Sequence, residues 1–74
     1  MSDTLTAEEI ARHYSAAMDS VNLINALAAQ ESRTTEEQNT VSRNVEHLEI
    51  MVAKDYWTTE DLAPLSSAIT AGKA

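Results

Sequence analysis

Apolar side chains recur along the first third of the chain at alternating steps of four and three: Ile10, Tyr14, Ala17, Val21, Ile24 and Ala28. That spacing marks one buried face of a helix. Met18 and Ala11 widen the stripe on one flank and Leu27 on the other, while Arg12, Ser15, Asp19 and Asn22 occupy the opposite face. The apolar arc spans about 160° of the circumference, more than a single partner helix covers. The start is equally legible. Thr6 is a candidate N-cap, Glu9 closes a capping box with it, and Leu5 and Ile10 stand at the positions of a hydrophobic staple. The pattern predicts a helix over residues 6–31.

Two further segments repeat this logic. Val41, Val45, Leu48 and Val52 step four, three, four, with Met51 broadening the stripe and Arg43, Glu46 and Glu49 off its centre. Either Thr34 with Glu37 or Thr35 with Gln38 supplies the box, and the second helix is expected over residues 35–55. A short turn between two long amphipathic helices implies an antiparallel hairpin. In the third segment Thr58 is a candidate N-cap with Asp61 in the box position and Trp57 and Leu62 as staple. Pro64 disturbs that register, because it lacks an N–H and belongs in a helix's first turn. The expectation is a tight turn over 59–62 and a helix over residues 61–71, with Leu62, Leu65 and Ile69 as its apolar face and Gly72 as its C-terminal cap. No segment alternates with period two, so no strand is predicted. The fold class is all-α: a long antiparallel hairpin plus a short third helix, one domain over residues 1–74. The two broad arcs also raise a dimer of hairpins, closed as a helical bundle, as a competing arrangement.

Composition narrows the picture. The chain has 74 residues, 43% of them hydrophobic, with no cysteine, one glycine and one proline. A domain this small buries only about 60% of the surface its unfolded chain exposes, and no disulfide supplements the core. No apolar run approaches the roughly 20 residues of a membrane span, and Met1-Ser2-Asp3 has no basic start, so a cytoplasmic location without membrane association is expected. Twelve acids against five bases give a net charge of −7. That argues against direct nucleic-acid binding, which rests on Lys and Arg neutralising phosphates. It leaves open an acidic surface that imitates DNA and occupies a nucleic-acid-binding protein.

Chemistry has few footholds. Glu9 and His13 lie four apart on one helix side, but Glu46 and His47 are adjacent and diverge by about 100°, and zinc needs three or four converging ligands. His13 and His47 are therefore expected to border the packed stripes, with no metal. Asp55-Tyr56-Trp57-Thr58-Thr59-Glu60 lacks the spacing of a calcium loop, which needs oxygen ligands at positions one, three and five and a glycine at six. Neither a nucleophile elbow nor a phosphate-cradling glycine loop occurs. The expectation is a non-enzymatic protein without a cofactor. Interaction surfaces offer more. Ile50 lies on the side of its helix away from Val41, Val45, Leu48 and Val52, and Tyr56 and Trp57 are aromatics of the kind that dominate contact energy. Ile50, Tyr56 and Trp57 are the candidate interaction surface, with Trp57 weighted toward the core that a chain without phenylalanine needs.

Residues 44–72, from Asn44-Val45-Glu46-His47-Leu48-Glu49-Ile50-Met51 through Trp57-Thr58-Thr59-Glu60-Asp61-Leu62 to Gly72, resemble the C-terminal part of short proteins, without assigned activity, encoded by phages and prophages in bacteria. The resemblance implies a bacterial or phage setting and a small accessory role. It transfers no functional residue. The combined expectation is an acidic helical module that binds a protein partner or a second copy of itself.

Overall fold

The structure, a computed structural model, describes residues 5–74. It is all-α: helix α1 runs Ala7–Ala28, α2 Thr35–Val52 and α3 Thr59–Lys73, and each packs against both others. The bundle measures 45 × 22 × 17 Å. No helix among the described residues is long and apolar enough to cross a membrane.

All three helices open on a complete capping box. The Thr6 hydroxyl accepts from the Glu9 amide at 3.1 Å, and the Glu9 carboxylate accepts from the Thr6 amide at 2.9 Å. Thr34 and Glu37 repeat this at 3.0 and 2.9 Å, settling the choice against the Thr35–Gln38 alternative. Thr58 and Asp61 form the third, where the shorter aspartate stretches its bond to the Thr58 amide to 3.3 Å. Each box ties up two of the amides a helix start leaves without intrahelical partners.

The third helix therefore starts at Thr59, two residues before the expected Asp61, and the tight turn over 59–62 does not form. Pro64 sits inside the helix. Its missing N–H leaves the Glu60 carbonyl without a helical donor, but Glu60 is exposed, so water can satisfy that oxygen. The box at Thr58 and this hydration outweigh the proline's preference for the first turn. Helices α1 and α2 are shorter at their C-termini than the periodicity suggests, ending at Ala28 and Val52.

Those ends close without glycine. Both C-caps, Ala29 and Ala53, keep right-handed backbone, and no described residue has positive φ. The Gln30 and Lys54 amides donate to the Leu27 and Met51 carbonyls at 3.1 Å, and side chains add a further donor to each of those oxygens. Arg33 Nη1 donates to the Leu27 carbonyl at 3.1 Å while its Nε donates to Gln38 Oε1. The indole Nε1 of Trp57 donates to the Met51 carbonyl at 2.7 Å.

The core is built from Ala17, Val21, Ile24 and Leu27 of α1, Val41, Val45, Leu48 and Met51 of α2, Leu65 and Ala68 of α3, and Trp57 from the α2–α3 connection. Helix α3 lies along both hairpin stripes, so the width that suggested a dimer of hairpins is met within one chain. Gly72 is not a cap. It lies inside α3, where a Cβ would overlap Val45 Cγ2 and come within 3.2 Å of Ile24 and 3.3 Å of Val41. The glycine is there because three helices converge on it.

Two outcomes follow from the caps and this convergence. Gly72→Ala adds a methyl against stiff β-branched neighbours; although alanine favours helix by about 1 kcal/mol, overpacking of about 1–3 kcal/mol should lower stability in urea unfolding. Glu9 titrates below an unconstrained glutamate because the Thr6 amide, then the Thr6 hydroxyl, and more weakly charge on His13 favour its ionised form. A lowered folded pKa stabilises above the ordinary glutamate range and loses that contribution as pH falls through the depressed value. Acid titration followed by NMR should show the start of α1 fraying there.

Candidate interaction surface

Two arrangements stand apart from ordinary core packing: a polar clasp inside the hairpin, and a band of exposed surface around the end of α2.

The clasp centres on Ser20, only 5% exposed and the one polar residue among the buried side chains described. Its Oγ donates to Asn44 Oδ1 at 2.9 Å, and Asn44 Nδ2 donates to the Thr40 carbonyl at 2.8 Å, which orients the amide. The same Oγ lies 2.9 Å from His47 Nδ1. A hydroxyl has one proton, and here it goes to Asn44. His47 Nδ1 is then the donor in its contact with Ser20 Oγ. A nucleophilic serine hands its proton to a base; Ser20 hands it to an amide. The trio acts as a positional lock between α1 and α2. The sequence pattern held a trace of it, since Ser20 falls on the flank of the Ala17–Val21–Ile24 stripe and Asn44 and His47 share one side of α2 at a three-residue spacing.

His13 is elsewhere. It is exposed near the start of α1, with its ring centroid 6.1 Å from that of Tyr56. Among the described residues no three His, Asp or Glu side chains come together as a metal site would require.

Tyr56 is half-buried and belongs to a run of rings: His13, Tyr56, Trp57 and Tyr14, with centroid spacings of 6.1, 4.7 and 6.0 Å. Trp57 is 9% exposed, so the structure places it in the core as the support beneath Tyr56. Beside Tyr56 opens a cleft of about 550 Å³ walled by Leu5, His13, Met51, Ala53, Lys54 and Asp55. Ala53 and Lys54 also line a shallower groove shared with Glu46, Glu49 and Ile50. The two depressions thus form one continuous band. Ile50 is 62% exposed, well beyond Leu23 at 41%, the other large apolar side chain left on the described surface.

Glu8 pairs with Arg12 at 3.0 Å, and Glu49 pairs with Lys73 of α3. Compared with protein-family models, with curated proteins and with solved structures, the chain matches none.

Ser20→Ala would strand Asn44 Oδ1 and the His47 Nδ1 proton at a half-buried helix contact. The expected cost is about 1–3 kcal/mol, read from urea unfolding as a lower midpoint with an unchanged slope.

Proposed function

We propose that this protein is a small acidic helical interaction module that works by docking a protein surface, without chemistry of its own. The observation that carries this reading is Ile50: an aliphatic side chain 62% exposed, where every other large aliphatic among the described residues except Leu23 is buried or half-buried. A small domain needs its large apolar side chains inside, and Ile50 contributes little to this core. It sits in a band with an aromatic-walled cleft at one end and charged residues along its edges. Buried anchors of this kind, rimmed by polar groups, carry most of the energy in protein interfaces. Trp57 serves from below by fixing Tyr56, so Ile50 and Tyr56 are the contact residues and Trp57 their support.

The resemblance of residues 44–72 to phage and prophage proteins adds an accessory role in a bacterial cytoplasm to the proposal. It runs across this same band. The partner is a protein, which includes a second copy of the chain; nucleic acid and membrane are not proposed as targets.

The test is capture by the immobilised protein from bacterial extract, comparing wild type with Ile50→Glu. The exposed substitution should change unfolding free energy by no more than about 0.5 kcal/mol, yet remove the captured protein. If Ile50→Glu retains every protein that wild type retains, this surface is not the docking site.

A further inference from the structure

The exposed band on α2 carries a charge order that matches itself when reversed. Glu46 and Lys54 stand four residues before and four residues after Ile50, and all three line one groove with Glu49 and Ala53. Glu46 and Lys54 have no ion-pair partner among the described residues, unlike Glu49, which is held by Lys73. Arg43, one turn before Glu46, is exposed as well.

We infer that this face pairs with a second copy of the chain across a two-fold axis at Ile50. The inference rests on the reading of the band as a docking surface and names its occupant. A two-fold contact brings residue i of one chain to residue j of the other, and j to i. With two α2 helices antiparallel and Ile50 against Ile50, Glu46 of each copy comes level with Lys54 of the other. Two ion pairs then flank an apolar centre, and the long stems of glutamate and lysine span the lateral offset. Ala53, small and beside Ile50, lets the two helices approach. These two ion pairs offset a net charge of −7 that otherwise repels a copy of the chain.

Parallel pairing lacks this logic, since it would align Glu46 with Glu46 and Lys54 with Lys54. Like charges set opposite each other in this way select against the wrong orientation. The stripe from Glu46 to Lys54 is about 12 Å long. A contact centred on so short a stripe is small beside the interfaces of stable complexes, so the pairing is weak and concentration-dependent.

Sedimentation velocity from micromolar to millimolar protein tests it with a charge swap. Wild type should shift from monomer toward dimer across that range. Glu46→Lys and Lys54→Glu each set like charges across the axis and should weaken association by about tenfold or more, whereas the double variant restores both pairs and should return to within about threefold of wild type. All these positions are exposed, and unchanged helical circular dichroism verifies folding. A wild type that stays monomeric at millimolar concentration overturns the inference, as does a double variant no better than the single ones. Loss of self-pairing with capture still dependent on Ile50 would sink the second-copy occupant and leave the docking surface standing; pairing that persists in Ile50→Glu would sink the role of Ile50 itself.

Discussion

The hydroxyl of a threonine, bonded to an amide three residues ahead, decides where every helix of this molecule begins. With a single glycine and a single proline in 74 residues, the chain has almost none of the usual means of interrupting a helix. Thr6, Thr34 and Thr58 supply the punctuation, each by taking extended backbone and closing a reciprocal box with an acid. Six of the twelve acids, Glu8, Glu9, Glu36, Glu37, Glu60 and Asp61, lie in those three first turns. There they meet the partial positive charge of the helix dipole. Much of the acidity is thus architecture. At the helix ends Arg33 and Trp57 add side-chain donors to the Leu27 and Met51 carbonyls, which also accept backbone amides.

With the starts set, packing does the rest, and it is tightest where side chains are smallest. Ala17 and Ala68 are fully buried, and Gly72 admits Val45, Ile24 and Val41 to van der Waals range of the α3 backbone. One buried polar group is retained in this apolar setting. Ser20 joins Asn44 and His47 in bonds that exist only when α1 and α2 stand at one relative height. An amphipathic hairpin can slide by a turn and still bury its stripes. Sliding this one would leave the buried Ser20 hydroxyl without its partners on α2, at about 1–3 kcal/mol. The clasp therefore contributes registry more than net stability.

What could be read from the sequence divides along the same line. Capping boxes and stripes are local, so the starts of α1 and α2 and the all-α class were legible, while the box at Thr58 was visible but set aside for a start at Asp61. Features decided by the third dimension were not legible. Gly72 read as a cap because glycine after an apolar run commonly ends a helix; only the convergence of α1 and α2 on that point explains it. Pro64 argued for a later start because its preference is local, while the hydration of the Glu60 carbonyl depends on which side of α3 faces water. The periodicity also ran past the true ends of α1 and α2, since apolar spacing continues where the backbone already turns. For the candidate surface, Ile50 was visible as an outlier from its stripe. Trp57 was weighted toward the core for want of phenylalanine, but the bond from its indole to the Met51 carbonyl, which holds it there, is a tertiary fact.

That bond links architecture to surface. By holding Trp57 inward, it closes the end of α2 and at the same time supports Tyr56 from beneath, so that one wall of the cleft is built on the core. The groove beyond it, across Ala53 and Lys54 to Ile50, is lined by residues of α2 and the turn that follows it. Three helices can cover only the inner stripes of one another; the outer face of each is free to vary. Near the end of α2 that face keeps a large aliphatic residue, Ile50, with Glu46 four residues before it and Lys54, just past the helix, four residues after it. A solvent-facing helix needs only polarity there. An apolar centre with symmetric, opposite charge is what a surface needs when the thing it meets is another surface of the same design.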